Sequence, residues 1–222
     1  QPFFTSAANT GQVAALIALN QMAALPAGAY QGVVLKHKTT QTYAATLPVA
    51  AGTSVASQFP LRADGQPRLP ANYRLVGIYR NAPPLDAAQL PVREGWLYRR
   101  FTSPKLLVES VQQGLETFAL QVAGLGLKLY LRTADDALLQ WQVPGAAPDN
   151  ELVTVTGSTV TDKGNQAALL DGSLSPRDFV RRVIRAGALS VLQQGALWQT
   201  QGPVYDSESL PLGSVPMVLS AA

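Results

Sequence analysis

The chain contains no cysteine among its 222 residues. That absence excludes a disulfide framework, catalysis by a thiolate and a zinc ion held by cysteine. Histidine is almost as scarce, since His37 is the only one. A Ser-His-Asp triad would need this histidine, and no Gly-x-Ser-x-Gly motif supplies the nucleophile. Because His37 lies between two lysines in an expected hairpin turn, we interpret it as a surface residue.

Charged side chains make up only 14% of the chain, and the formal net charge is +3. So small a charge does not predict nucleic-acid binding unless the basic residues cluster. The densest basic group is Arg177, Arg181, Arg182 and Arg185. Spacings of four put three of these on one helical face, and a solvated face is the simpler interpretation. We therefore expect a protein partner rather than a nucleic acid.

Long apolar runs are also absent, because no stretch reaches the roughly 18 to 20 apolar residues that a membrane-spanning helix requires. The longest apolar region, 13–25, is interrupted by Asn20 and Gln21. The sequence therefore predicts no membrane span. The start at Gln1, without an initiator methionine, and the lack of cysteine slightly favour an exported protein, periplasmic or secreted, over a cytoplasmic one.

Helix and strand patterns alternate along this chain, which is 47% hydrophobic. An Ala- and Leu-rich helix is predicted from about Ala7 to Ala24, with Thr5 or Ser6 as its N-cap. Apolar and alternating runs predict strands at 30–35, 42–47, 73–79, 127–132, 151–157 and 188–192, of which the first two form a hairpin. A loop is expected at 50–69, with a short strand near Phe59, and the irregular tail contains a short strand at 217–219.

Two segments, 103–111 and 175–183, begin with Ser-Pro and a basic residue. A serine at the N-cap accepts a hydrogen bond from a backbone N–H, and proline suits the first helical turn, so each segment predicts a helix. The expected fold class is α/β (α+β), with a mixed sheet on which an N-terminal helix and these two helices pack. Helix-initiation chemistry or an internal duplication explains the similarity of the two segments.

The best candidate linker is 143–150, which contains two prolines and a glycine. It divides the chain into a larger α/β domain at 1–143 and a smaller α/β segment at 151–222. A surface loop within one domain has the same composition. In that case the smaller segment is part of the same domain.

The segment 77–83 reads Gly-Ile-Tyr-Arg-Asn-Ala-Pro, a Gly-x-Tyr-x-x-x-Pro frame. Upstream, 43–48 is similar to a Tyr-x-Ala-Thr-x-Pro strand, and downstream Ser103 lies where a Ser-x-x-Asp motif would be expected. Over about residues 5–140 this order resembles the JAB/MPN (JAMM) metalloprotease fold and related bacterial domains of unknown function. The resemblance implies that 1–143 is a JAB/MPN-like domain.

In that family two histidines and an aspartate bind zinc, and a glutamate acts as the general base. The resemblance assigns the three ligand positions to Arg80, Ala82 and Leu106, and the glutamate position to Gln31. Arginine stays protonated and has no lone pair to donate. We therefore expect no catalytic residue, no cofactor and no metal, and a degenerate pocket formed by Gln31, Tyr79, Arg80, Asn81, Ala82 and Ser103.

The resulting prediction is a bacterial, non-catalytic binding or interaction domain that has lost its metal site. A mixture of aromatic and basic side chains marks a candidate interaction surface, Trp96, Tyr98, Arg99 and Arg100. Core packing of the aromatic rings, with arginines that reach solvent, is the alternative for this segment.

Two other functions stay open. One is a hydrolase or secreted toxin domain that uses carboxylates, for which the candidates are Glu94, Glu109, Glu116 and Asp136. Asp135 and Asp136 together are better explained by a turn. The other is a structural component of an envelope or secretion assembly, which the low charge and many amide side chains favour. Exposed apolar patches would support that alternative.

Overall fold

The computed structural model describes residues 4–5, 7–52, 58–65, 67–112, 127–142, 150–156, 159–195 and 197–207. These residues form a mixed sheet of eight strands with helices on both faces, and a separate two-stranded hairpin. The α/β class, with a mixed sheet and an N-terminal helix, is confirmed. Among the helices of these ranges, none combines the length and apolar character needed to cross a bilayer.

The helices are α1 (Gly11–Gln21), α2 (Val92–Arg100), α3 (104–112), α4 (Asn165–Asp171) and α5 (Pro176–Ala186), with short 3-10 helices at Met22–Ala24 and Ala87–Gln89. The first five strands are β1 (Tyr30–His37), β2 (Tyr43–Ala45), β3 (Val49–Ala50), β4 (Tyr73–Asn81) and β5 (Lys128–Arg132). The other five are β6 (Leu138–Gln142), β7 (Val153–Thr156), β8 (Thr159–Asp162), β9 (Leu189–Gln193) and β10 (Gly202–Val204).

The large sheet has the strand order β10-β9-β6-β5-β4-β1-β2, and β3 also pairs with β1. Neighbours β4 and β5 are parallel, and the remaining pairs are antiparallel. The connection from β4 to β5 contains α2 and α3. A parallel pair needs such a long crossover, because both strands must run in the same direction.

The N-terminal helix begins later than the sequence predicts. Thr10 is its N-cap and accepts a hydrogen bond from the N–H of Val13, whereas the prediction named Thr5 or Ser6. Thr5 instead pairs with β2: its N–H donates to the carbonyl of Ala45, and its Oγ1 accepts from the N–H of Ala45 at 3.0 Å. Strand pairing therefore removes the first residues from the helix. Ser6 lies outside the described residues.

Both predicted Ser-Pro helices are present, as α3 and α5. The Oγ of Ser103 accepts from the N–H of Leu106 at 3.2 Å, and the Oγ of Ser175 accepts from the N–H of Asp178 at 3.1 Å. Each hydroxyl satisfies one of the N–H groups that have no partner inside the helix. The local capping signal was therefore sufficient to locate both helix starts.

Helix α1 covers one face of the sheet. Its residues Ala14, Ala15 and Ala18 have no exposed surface and belong to a core cluster that includes Tyr79 and Tyr130. Small side chains let the helix approach the strands closely, so the large rings of the sheet fill the space between them.

Helices α2, α3 and α5 contribute to the core on the opposite face, where Leu97, Val111 and Phe179 join strand residues such as Leu129 and Leu189 in one cluster. Strand β9 pairs with β6, so strands from both predicted segments share one sheet. The described part of 151–222 therefore contributes strands β9 and β10 to the sheet that 1–143 forms. The candidate linker lies outside the described residues except for Asn150.

Several other local predictions differ from the structure. Helices α2 and α4 and strands β3, β6, β8 and β10 were not predicted. Phe59 is buried but does not lie in a strand, and its region instead contains an isolated bridge between Leu61 and Pro67. The predicted strand at 217–219 lies outside the described residues.

Candidate functional site

The three positions that the resemblance assigns to zinc ligands converge on one small cavity. Arg80 and Ala82 come from β4 and the loop that follows it, and Leu106 comes from the first turn of α3. The volume of this cavity is about 10 Å³. A single water molecule needs about 10 to 15 Å³. We call this the β4 cavity, and its full lining is Arg80, Asn81, Ala82, Pro83, Tyr98, Phe101, Thr102, Leu106 and Leu131.

Arg80 is the charged residue of the β4 cavity. Its Nη1 donates a hydrogen bond to the Oγ of Ser110 at 2.5 Å, and that hydroxyl donates to the carbonyl of Leu106 at 2.6 Å. Burial lowers the pKa of the Arg80 guanidinium, and the carboxylate of Glu109 acts in the opposite direction. The group nevertheless stays a cation at neutral pH, because an arginine pKa starts so high.

Gln31 stands on the strand beside Arg80. The two residues are antiparallel register partners in β1 and β4, so their side chains project from the same face of the sheet. Gln31 is only 3% exposed. All four positions of the resembled pattern therefore lie in one neighbourhood, three on the cavity wall and the fourth on the adjacent strand.

Two members of the predicted pocket lie elsewhere. Tyr79 points to the opposite face of the sheet, where it belongs to the core under α1 and its hydroxyl donates to the carbonyl of Thr46. Ser103 caps α3 and does not line the cavity. Neighbouring residues of a strand project to opposite faces, and Tyr79, unlike Arg80, is not among the residues that line the β4 cavity.

Asn81 lines the β4 cavity, but its side-chain amide forms hydrogen bonds with the backbone. Its Oδ1 accepts from the N–H of Tyr30 at 2.7 Å, and its Nδ2 donates to the carbonyl of Gly28 at 2.9 Å. These two bonds attach the end of β4 to the start of β1. The asparagine thereby fixes the backbone beside the cavity.

The residues of the β4 cavity do not fit a hydrolytic zinc ion. Such an ion needs imidazole or carboxylate donors and an open position for water. Arg80 repels a cation, whereas the methyl of Ala82 and the isobutyl of Leu106 have no electron pair to donate. Within the described ranges, no group of three or more His, Cys, Asp or Glu side chains is close enough together to hold a metal.

The candidate interaction surface is corrected by the structure. Trp96 and Tyr98 are each only 5% exposed. The Tyr98 hydroxyl donates to the carbonyl of Pro83 and accepts from the N–H of Leu85. Arg99 is exposed and Arg100 lies partly buried over the Trp96 ring, 5.0 Å from its centroid. Core packing of the aromatic rings thus explains this segment.

The candidate carboxylates are spread over different elements. Glu94 of α2 accepts from the amide of Gln166 at 3.1 Å, and Glu109 is exposed on α3. Asp136 pairs with Arg132 at 3.0 Å in the turn between β5 and β6, where Asp135 accepts from Thr133. The turn interpretation of these two aspartates is confirmed. Glu116 lies outside the described residues.

His37 ends β1 at the predicted hairpin turn. Its Nδ1 accepts hydrogen bonds from the N–H groups of Thr39 and Thr40 at 3.2 and 3.1 Å, and its ring meets Tyr73 edge-on at 4.9 Å. The nitrogen therefore stabilises the turn, which accounts for this histidine without a catalytic role.

A second, larger cavity lies on the opposite face of the sheet, beside the start of α1. Its volume is about 400 Å³. We call it the α1 cavity, and its lining is Thr10, Gly11, Gln12, Tyr43, Arg74, Leu75, Val76, Lys128 and Tyr130. None of these residues is predicted as part of a site from the sequence, because they come from four separate stretches of the chain. The capping Thr10 is the one local signal that marks the place.

No protein-family model, no curated protein and no solved structure gives a significant match to this chain. The class of protein that the fold defines is an α/β domain whose mixed sheet carries helices on both faces.

Proposed function

We propose that this chain is a non-catalytic binding or interaction domain, similar in arrangement to a JAB/MPN domain that has lost its zinc site. The observation that carries the proposal is that Arg80, Ala82 and Leu106 line a single cavity and that none of the three can donate an electron pair to a metal. Gln31, the register partner of Arg80, is uncharged and cannot act as a general base.

The way the β4 cavity is filled supports the same function. Its volume leaves room for about one water, far less than a peptide substrate or a solvated metal centre requires. The Arg80 guanidinium extends across to Ser110 and holds β4 to α3. The residues of this neighbourhood therefore act as a structural contact between strand and helix.

The segment that follows the cavity supports a role in binding a protein. Leu85 and Val92 are 48% and 62% exposed, and they lie just after Pro83 of the cavity wall and at the start of α2. Exposed apolar side chains such as these are available to contact a protein partner. The hydroxyl of the buried Tyr98 holds this segment by donating to the carbonyl of Pro83 and accepting from the N–H of Leu85.

The loss of catalysis is tested by adding Zn²⁺ to the purified chain and following thermal unfolding. A metal that binds the folded state raises Tm in a saturable way. We expect no saturable rise and no hydrolysis of peptide or isopeptide substrates at any zinc concentration. A saturable rise accompanied by hydrolysis would overturn the proposal.

The binding role is tested with a photoreactive amino acid placed at Val92 in cells that produce the chain. The matched control is the same amino acid at Leu170, which is 47% exposed on α4. We expect a protein adduct from position 92 and none from position 170. Equal adducts at both positions, or none at either, would count against a partner at this segment.

A further inference from the structure

We propose that the α1 cavity binds a small ligand through a phosphate group, held by the N-terminus of α1, the cations Arg74 and Lys128, and the hydroxyl of Tyr130. The site lies on the opposite face of the sheet from the β4 cavity, so this proposal does not depend on the proposed function.

The cavity wall is cationic. Arg74 and Lys128 line it directly, and none of its lining residues is acidic. Lys36 is the register partner of both Arg74 and Tyr43, and its Nζ lies 5.2 Å from the centre of the Tyr43 ring. Like charges directly opposite each other on two strands repel, so a bound anion would relieve the repulsion between Lys36 and Arg74.

These cations have no internal counter-ion in the ranges that the structure describes. The ion pairs found there involve Arg62, Arg132, Arg181, Arg182 and Arg185, and none involves Lys36, Arg74 or Lys128. A concave surface with unpaired cations concentrates anions, because low-dielectric walls focus the field.

The start of α1 adds backbone donors. Thr10 caps the N–H of Val13, and the N–H of Ala14 donates to the carbonyl of Thr10. Gly11 and Gln12, the first two helical residues, line the cavity. The N–H groups at the first positions of a helix have no partner inside it, and the helix dipole favours negative charge there.

Tyr130 supplies the independent evidence for a ligand. The residue is only 2% exposed, yet its hydroxyl forms no hydrogen bond with any described residue. The hydroxyl oxygen is not among the polar atoms that are fully shielded from solvent, so it reaches the cavity, where it can donate to a ligand oxygen. Burial is the main cause that raises the pKa of Tyr130, and the neighbouring Tyr43 raises it further. The hydroxyl therefore keeps its proton and can donate a hydrogen bond.

Two glycines leave the space that the Tyr130 side chain occupies. A Cβ at Gly11 would lie 2.8 Å from the Tyr130 hydroxyl oxygen, and a Cβ at Gly77 would lie 2.8 Å from its Cε2. Neither position tolerates a side chain without displacing the ring. The absence of side chains at these two positions therefore keeps the hydroxyl directed at the first residue of α1.

The ligand class follows from the donors and the size. Two lining cations, helix N–H groups and a phenol together match the several acceptor oxygens of a phosphate. The volume of about 400 Å³ exceeds that of a bare phosphate and falls in the usual range of small-molecule sites. The Tyr43 ring provides a surface for an apolar or aromatic part of the ligand.

The test is a titration of the purified chain with inorganic phosphate and with phenyl phosphate, followed by NMR of the backbone amides. The expected result is saturable binding of both probes, with tighter binding of phenyl phosphate and shifts centred on Gly11 and Gln12. Potassium chloride at equal ionic strength should not reproduce the shifts. Equal shifts from chloride, or no saturable binding of either probe, would overturn the proposal.

Variants locate the site. Tyr130→Phe keeps the ring and removes the hydroxyl, so it should weaken phosphate binding by about tenfold, as expected for one hydrogen bond to a charged group. The double variant R74A/K128A should weaken it further, whereas the exposed Arg99→Ala on α2 should leave it unchanged. If R99A weakens binding as much as R74A/K128A, the interaction is only with net charge and the proposal fails. The amide spectrum of each variant shows whether it is folded.

Discussion

The guanidinium of Arg80 donates a hydrogen bond to the hydroxyl of Ser110 at 2.5 Å, which joins β4 to α3 beside the cavity where the resemblance would place a zinc ion. At the position that the resemblance assigns to a neutral imidazole, this chain thus has a cation. The same contact is structural, because it provides a partly buried charge with a hydrogen-bond partner.

Ser110→Ala should destabilise the protein by about 1 to 3 kcal/mol, because it leaves the Arg80 guanidinium without this partner. Urea unfolding measures the change. The control is Ser190→Ala on β9, whose partly buried hydroxyl forms no hydrogen bond with the described residues. Ser190→Ala should lower the free energy of unfolding less than Ser110→Ala does. An equal loss of stability in the two variants would contradict the role given to Ser110.

Arg80→Met on the Ser110→Ala background should recover most of that loss. A methionine fills a similar volume without a charge, and replacing both partners of a buried polar contact by apolar groups is often close to neutral. The double-mutant cycle is measured by the same urea unfolding. If the double variant is less stable than Ser110→Ala alone, the guanidinium makes a stabilising contact that the Ser110 bond does not explain.

Gly32→Ala should be strongly destabilising, by about 1 to 3 kcal/mol or more for an overpacked core. A Cβ at position 32 would lie 2.3 to 2.4 Å from ring atoms of the fully buried Tyr79, which cannot move away because its hydroxyl binds the Thr46 carbonyl. Gly28→Ala is the matched control, since its Cβ would meet Tyr30 at an ordinary 3.4 Å. A similar stability for the two variants would show that the core around Tyr79 is looser than described.

Asp206 should make stability depend on pH in the acid range. A hydrogen bond from Arg181 at 2.8 Å holds the pKa of Asp206 below its usual 3.8, and Arg185 adds a second contact. A lowered pKa in the folded state means that the stabilisation is present above pH 3.8 and is lost as the pH falls through the folded-state pKa. Asp206→Asn should therefore lower Tm at neutral pH and make no difference well below pH 3.8. A Tm difference that persists unchanged in acid would contradict this assignment.

The fold was predictable from sequence where the cause is local. Ser103 and Ser175 cap their helices through bonds that span three residues, so the Ser-Pro signal located both starts. Helix α2 was missed because its N-cap, Pro91, has no side chain to accept a hydrogen bond. The start of α1 was misplaced because Thr5 pairs with β2, which no local pattern indicates.

The candidate sites depend on contacts between distant residues, so the sequence predicted them only in part. The resemblance named Arg80, Ala82 and Gln31, and these lie in one neighbourhood. It also named Tyr79, which alternation along β4 turns to the other face. The α1 cavity was not predicted at all, since Gly11 and Tyr130 meet only once the sheet has formed.

A ligand-restored variant tests the proposed loss of a metal site. The four changes are Gln31→Glu, Arg80→His, Ala82→His and Leu106→Asp. They supply the donors that the resembled family uses at positions that already lie together. If the variant folds, as circular dichroism would show, it should retain one equivalent of Zn²⁺ after dialysis. A folded variant that retains none would contradict the assignment of these positions.

The most direct measurement is the amount of zinc that the unaltered chain retains after it has been exposed to Zn²⁺ and then dialysed in the same way. Our account predicts no stoichiometric zinc, because guanidinium, methyl and isobutyl groups occupy the ligand positions. One retained equivalent of zinc, released when Gln31 is changed to Leu, would contradict it.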